Sequence, residues 1–463
     1  GGGDAGAAGR HGPSVSCPPD PGHRRPSSVC AVIRWLVCGE RNAGPTGRDA
    51  ALPSGHCRTE GSPGLIRTTP FHPRTSELNE TGLWEHWSNH LAAVRYQASE
   101  KFEYFAVRNS AGLFDSSPLY KYRVAGPDAE RYLAGVLARD VRGLDPGRAQ
   151  YTLWCDDRGF VLEDGIILRL DRDEFLLTAA EPNLAYFDGL RGRERVAIEE
   201  VTDAYAILAV QGPRARTILA PLAPEIAGLP PFGVVRPSIG GTPVIVSRTG
   251  FTGDLGYEVW VPTDGALAVW DAIWESGRGH GVIPFGLTAL SMARIEAGLL
   301  LLDVDFRSSR YAWSDEQRST PSELGLGWMV RDAATTDRAF VGRDAIRREL
   351  AGRASRWRLT GLVVDWRDWD RRFDTAGLIP PKDHTPIHDE YYLYDDHGRQ
   401  LGWASSLMYS PMLQRQIALA RVPPDLAKPG SRVKLEFPVI HHYEYFDAVV
   451  ARTPLFDPPR RTA

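Results

Sequence analysis

The sequence predicts an α+β protein that closes in a small antiparallel β-barrel, and three observations carry the prediction. Its 463 residues, 43% hydrophobic and 24% charged, are enough to bury large cores in two or three domains. From about Glu77 up to a charged linker near Arg353–Arg358, aromatic, apolar and charged residues alternate, and the stretch holds both strand-like and helix-like runs. Beyond that linker, strand-like runs at 361–365, 391–394, 402–407, 416–422 and 431–437 follow one another with turn residues between, the pattern of a small barrel.

Charge and cysteine usage narrow the function classes. A formal charge of -4 argues against a general polyanion binder, so no nucleic-acid partner is expected. No apolar run approaches the roughly 18 residues that a membrane span needs, so no membrane partner is expected and a cytoplasmic location is. Four of the five cysteines, Cys17, Cys30, Cys38 and Cys57, lie in the first sixty residues. Cys155, alone in the rest and beside Trp154, reads as a small buried hydrophobe rather than a disulfide partner, zinc ligand or catalytic thiol. Residues 1–75 are rich in Gly, Pro, Arg and Ser without apolar periodicity, and are expected to be a disordered leader. An organellar transit peptide is one reading of it, weakened by Asp4, Asp20, Glu40 and Asp49; an upstream start outside the native protein is another.

Taken in order, the body opens with Ala111–Pro127, a loop entering a strand (Leu119, Tyr120, Tyr122, Val124) that ends at Gly126-Pro127. Asp128 is a natural cap for the helix that follows. Gln150–Leu170 reads as a hairpin turning at Asp156–Gly159. Counting by twos puts Leu162, Asp164, Ile166, Leu168 and Leu170 on one face, a carboxylate in an apolar stripe. Such an aspartate is either hydrogen-bonded by the fold or kept for a ligand. Val210–Ala215 is a turn and helix start to which no chemistry is assigned. The stretch 247–262, SRTGFTGDLGYEVWVP, reads as a turn rich in glycine between two strands, with Glu258 and Trp260 on one face. An acid beside an indole suits a flat heterocycle, and an ordinary hairpin with a solvated Glu suits the pattern as well. Gly286–Leu302 reads as a helix on which Leu287, Leu290, Ser291 and Arg294 share a face. His384 and His388 are four apart, but Pro386 between them opposes a helix, so no metal site is expected.

Ordered segments between about 85 and 456 resemble the glycine-cleavage T-protein, or aminomethyltransferase, family, which includes the folate domains of dimethylglycine and sarcosine dehydrogenases. They are the run 247–258 against R-T-G-[YF]-T-G-x-x-G-[FY]-E, residues 111–129 against A-G-L-F-D-x-S-x-x-x-K, and Gln150–Asp164. The others are Gln211–Ala215, the Glu296-Ala297-Gly298 segment with Phe340–Arg343, and Gly402–Val422. The resemblance implies a two-lobed folate-binding body over 76–352 and a β-barrel over 353–463. It also implies transfer of a one-carbon unit from a donor to tetrahydrofolate. By position, Asp164 takes the place of the catalytic acid/base, Tyr151 that of a tyrosine lining the folate pocket, and Glu258 that of the pterin-binding carboxylate. Phe251 would offer a stacking surface without a hydroxyl, and Arg294 would serve the folate tail or support the site.

Three functions fit such a chain. One is an aminomethyltransferase served by a lipoylated carrier protein, the second a folate-dependent demethylase of a small methylated amine, sulfonium or aryl ether. The third is a folate-binding accessory protein without transfer, disfavoured because the body has only Cys155. Departures from the T-protein pattern at Pro118, at Leu290 where T-proteins carry an arginine, and at Leu455–Pro458 favour the small donor. Trp366, Trp369, Tyr443 and Tyr445 are expected either to cage a cationic donor or to pack the barrel.

Overall fold

The computed structural model describes residues 67–462. Two sheets and a barrel carry the chain. The first sheet has six strands in the order Val234–Val235, Ile245–Ser247, Gly256–Pro262, Tyr205–Gln211, Ala111–Asp115, Val282–Pro284. All its pairs are antiparallel except the last. The second has five antiparallel strands in the order Arg148–Cys155, Val161–Asp171, Glu174–Ala179, Tyr120–Ala125, Ala197–Glu200. The whole second sheet is therefore inserted in the chain between two neighbouring strands of the first.

Period-two alternation sorts the faces. On Gly256–Pro262, Tyr257, Val259 and Val261 pack against the Ala266–Arg278 helix, in a core that also holds Trp270 and Ile273. On the other face, Trp260 joins Ile207 and Ile245 against Leu168, Leu170 and Leu176 of the second sheet. The second sheet turns its far face to the Ala129–Val136 and Leu184–Gly189 helices. The result is helix, sheet, sheet, helix, with an apolar layer between the two sheets.

Three details differ from the sequence expectation. Ala111–Asp115, read as a loop, is itself a buried strand of the first sheet between Tyr205–Gln211 and Val282–Pro284. A bulge between Trp154 and Cys155 turns Leu162 out of the Asp164 face and into the core with Trp154 and Ile167. Asp128 precedes its helix but makes no side-chain cap; its carboxylate accepts from the Arg195 backbone N–H at 2.9 Å instead.

The barrel is closed and antiparallel, in the order Arg358–Val364, Arg415–Val422, Gln400–Ser410, Tyr391–Tyr394, Arg432–Val439, His442–Ala451. Its sixth strand, His442–Ala451, is missing from the five runs legible in the sequence. Of the two readings of the aromatics, a cationic cage or barrel packing, the cage does not fit their places. Trp369 is buried inside the barrel against Phe373, Phe437 and Phe446, whereas Tyr443 and Tyr445 are exposed. Alternation explains the split, because Phe446, Ala448 and Val450 take the inward positions.

Residues 1–66 of the expected disordered leader lie outside the described residues. Its last part is folded: Phe71 is fully buried with its ring 5.7 Å from Trp270, and a helix runs from His72 to Leu78. A single aromatic without periodic neighbours gives no pattern to read, which is why this anchor escapes the sequence. Among the described residues no helix is long and apolar enough to cross a membrane.

Candidate active site

Asp164 and Glu258 stand on the two faces that meet in the inter-sheet layer. Leu168 and Leu170 follow Asp164 on its face, and Trp260 follows Glu258, and these three pack together. Both carboxylates are half-buried and lie outside the apolar cluster of the layer.

Asp164 accepts a hydrogen bond from the Tyr151 hydroxyl at 2.6 Å. Desolvation raises its pKa from 3.8 to about 6; the charge of Asp305 adds to the rise and the Tyr151 hydroxyl opposes it. Burial likewise pushes the Tyr151 phenol well up, so it stays a donor. The neighbouring Gly165 is obligatory, since a Cβ there would lie 2.1 Å from the Thr178 carbonyl oxygen. Glu163, one residue before, points the other way into the helix-covered core. It takes the backbone N–H groups of Ala180 and Glu181 and the Asn183 amide, and desolvation lifts its pKa to about 8. It is a structural acid, sealed from the layer that Asp164 faces.

Glu258 has one side-chain partner, the Thr249 hydroxyl, which donates to Oε2. Ser247 and Thr249 share a hydrogen bond of 2.6 Å, so a short hydroxyl chain fixes one carboxylate oxygen and leaves Oε1 open. Desolvation raises the Glu258 pKa and the Thr249 bond opposes it.

The glycine spacing has a cause the sequence conceals. The Gln211 amide fills the turn: it donates to the Thr249 and Tyr257 carbonyls at 3.2 and 3.3 Å and accepts from Thr252 Oγ1 at 2.8 Å. A Cβ on Gly250 or on Gly256 would meet its Oε1 at 2.1 Å. Gly253 has φ 68° and presses on Ala297. The residue to which no chemistry was assigned therefore supports the turn. Phe251 sits half-buried on this turn, outside the hydrophobic cores.

Of the two parts expected of Arg294, serving the folate tail or supporting the site, contact with the tail does not fit its place. Arg294 is fully buried, with its guanidinium on Asp305 at 2.5 Å and on Ser406 Oγ at 2.8 Å. Asp305 also accepts from Ser405 and Ser406 of the barrel, so the pair ties the Leu287–Ala297 helix to the barrel and offers no face to a ligand. The burial penalty for a lone guanidinium is what requires Asp305 there. Trp260 is likewise core, 1% exposed, and not a wall of the site. His388 donates to or accepts from Ser291 Oγ at 3.2 Å and lies 3.5 Å from Arg294. Burial and the Arg294 charge hold it neutral, with a pKa lowered to about 4.

A strap crosses the back of the turn. Leu455 and Phe456 donate backbone N–H groups to the Glu296 carbonyl, and Arg460 grips the buried Asp254 carboxylate with two bonds of 2.7 Å. Asp254 also faces the buried Arg108, which pairs with Glu296 at 2.7 Å.

Residues 74–333 match the GCVT N-terminal domain, and residues 374–457 match the glycine cleavage T-protein C-terminal barrel domain. An aminomethyltransferase of Saccharopolyspora erythraea is 32% identical over 376 residues, 80% of this chain and 94% of that protein. A heme-dependent oxidative N-demethylase gamma subunit of Ectopseudomonas mendocina is 32% identical over 386 residues, 81% of this chain and 96% of that protein. A trimethylamine-oxide aldolase of Ruegeria pomeroyi is 33% identical over 396 residues; these make up 81% of this chain but only 45% of that protein. The crystal structure of the glycine cleavage system aminomethyltransferase T from Bartonella henselae superposes with a TM-score of 0.71 at 23% identity, covering 85% of this chain and 98% of that one. The fold, the two matched domains and the relatives agree: this chain belongs to the glycine cleavage T-protein family of aminomethyltransferases.

Proposed function

We propose that this chain is a tetrahydrofolate-dependent one-carbon transferase whose donor is a small methylated molecule, with Asp164 as its acid/base group and Glu258 as the anchor of the pterin. The observation that carries the reading is the pair of half-buried carboxylates, each held by a single hydroxyl and otherwise open. A carboxylate with a free oxygen and raised pKa suits a ligand rich in N–H donors, and the 2-amino-pyrimidinone of a pterin presents two such donors side by side. Bound there, tetrahydrofolate supplies the nucleophilic nitrogen that receives the carbon. The chain's own residues do the rest. Thr249 and Ser247 orient Glu258, Tyr151 orients Asp164, and Phe251 gives the ring system an apolar face. Asp164, with a pKa of about 6, exchanges a proton near neutral pH, where a solvated aspartate stays ionised.

The donor class rests on Leu290, which stands half-buried where T-proteins carry an arginine, and on similarity to an N-demethylase subunit over most of both chains. The apolar substitution leaves no charge there for a carrier-borne group. We place the enzyme in the cytoplasm, in keeping with the buried free thiol of Cys155. Glu258→Gln tests the anchor: tetrahydrofolate affinity should fall by about 1–3 kcal/mol, the usual effect of losing a charged hydrogen-bond partner. Unchanged affinity in calorimetric titration places the pterin elsewhere. Incubation with tetrahydrofolate and either methylated amines or a loaded lipoyl carrier separates the donors, and transfer from the carrier alone would reject the small-donor reading.

A further inference from the structure

A chain of hydrogen bonds runs from the buried Asp305–Arg294 pair to a hydroxyl that the chemistry proposed above does not use. Arg294 turns Nη2 to the Nδ1 atom of His388 at 3.5 Å, and the other ring nitrogen, Nε2, lies 3.2 Å from Ser291 Oγ. Guanidinium nitrogens only donate, so Nδ1 is an acceptor and the ring proton sits on Nε2. With its pKa lowered to about 4 by burial and the Arg294 charge, the ring stays neutral and keeps that single proton. Nε2–H is therefore the donor and Ser291 Oγ the acceptor. Two backbone hydrogen bonds of 2.8 and 2.9 Å between Ile387 and Leu407 of the barrel fix the chain beside the ring.

Ser291 is left with a proton that the fold does not take up. A serine inside a helix commonly donates to a carbonyl one turn back. Ser291, in the Leu287–Ala297 helix, does not: His388 is the only partner of its hydroxyl among the described residues. The serine is half-buried, next to the half-buried Leu290.

This hydroxyl stands at the candidate site. Beyond the helix the chain passes through Leu302 and Phe306, which share an apolar cluster with Tyr151. Between them Asp305 holds Arg294, and its charge acts on both His388 and Asp164. The local field is negative on balance, because Asp305 matches Arg294 while the exposed Asp389, beside His388, has no ion pair among the described residues. Such a field suits an uncharged oxygen on a cationic ligand and opposes a carboxylate.

We propose that Ser291, aligned by His388, binds an uncharged oxygen of the one-carbon donor, so that the enzyme prefers methylated amines bearing a hydroxyl over plain methylated amines and over amino acids. The inference rests on the small-donor reading given above.

The test is binding of three probes to the full chain saturated with tetrahydrofolate, followed by NMR titration of the probe methyl resonance. N,N-dimethylethanolamine carries the oxygen, N,N-dimethylpropylamine replaces it with a methyl group, and N,N-dimethylglycine replaces it with a carboxylate. The amino alcohol is expected to bind about fivefold tighter than the isosteric amine, the usual gain from one neutral hydrogen bond, and tighter than the amino acid. In Ser291→Ala the preference should vanish while affinity for dimethylpropylamine holds, a split that a loss of structure does not produce. His388→Gln should keep the preference, since its amide accepts from Arg294 and donates to Ser291 as the ring does, whereas His388→Leu should lose most of it. Equal affinity for amino alcohol and amine in the unmodified chain overturns the proposal, as does a preference that survives Ser291→Ala, or tightest binding of the amino acid. If none of the three binds while tetrahydrofolate does, the small-donor reading on which this one depends fails instead.

Discussion

The packing of Gln211 into the glycine turn predicts a specific non-additivity. Gly250 has no positive φ, so alanine is acceptable to its backbone and only the space matters. The new Cβ would lie 2.1 Å from Gln211 Oε1 and 2.4 Å from Nε2. The amide can yield only by leaving the Thr249 and Tyr257 carbonyls and the Thr252 hydroxyl, all of which it satisfies inside the protein. Gly250→Ala should therefore cost about 1–3 kcal/mol, the range for overpacking and for stranding buried polar groups. Gln211→Ala strands the same groups without a clash and should cost a similar about 1–3 kcal/mol. In the double variant the clash has no object, so its cost should match that of Gln211→Ala alone and fall short of the sum by the whole cost of Gly250→Ala, about 1–3 kcal/mol. Equilibrium urea unfolding of the four proteins measures this cycle. Additive costs within about 0.5 kcal/mol would refute the claim that the glycine is kept for the glutamine.

The remaining predictions concern the site and its supports. Asp164→Asn keeps the shape of the side chain and should lower turnover at least about a hundredfold, checked by single-turnover kinetics with folding followed by circular dichroism. Because the Asp164 pKa is raised from 3.8 to about 6, the folded chain binds the extra proton between those values. Its contribution to stability is therefore full below about pH 4 and is lost as pH rises through 6, a slope that Asp164→Asn should remove from a series of unfolding curves. Phe71→Ala should cost about 3–5 kcal/mol, as for other fully buried aromatics, and a loss under about 1 kcal/mol would detach residues 67–75 from the core. Arg460→Ala leaves the buried Asp254 without its two-bonded partner, and should weaken tetrahydrofolate binding through the turn as well as lower the melting temperature; an effect on melting alone would confine the strap to a structural part.

The architecture was legible where the chain repeats itself. Strand runs gave the Ile245–Ser247 and Gly256–Pro262 pair of the first sheet, three strands of the second and five of the six barrel strands, while Ala111–Asp115, Glu174–Ala179, Ala197–Glu200 and Tyr205–Gln211 went unread; the faces of Glu258 and of 164–170 follow from counting alone. The candidate acids were legible as polar residues in apolar stripes, and the resemblance ordered them. What stayed hidden depends on contacts between distant parts of the chain. Arg294 looks the same in sequence whether it meets a ligand or Asp305, and only the fold brings Asp305 and Ser406 to it. Trp260 beside Glu258 invites a heterocycle site until the second sheet covers the indole. Gln211 carries no signal at all, since the glycines it requires lie 39 and 45 residues further on, at 250 and 256.

The strap on Asp254 also sets a clock on synthesis. Asp254 and Arg460 are 206 residues apart, and at about 5–20 residues per second the ribosome delivers the arginine roughly 10–40 s after the aspartate. Once Val282–Pro284 has been translated, the nascent chain has every strand of both sheets but still lacks the clamp behind the glycine turn. The glycine turn that carries Glu258 into its strand is thus braced last, by an arginine that follows the whole barrel in the chain.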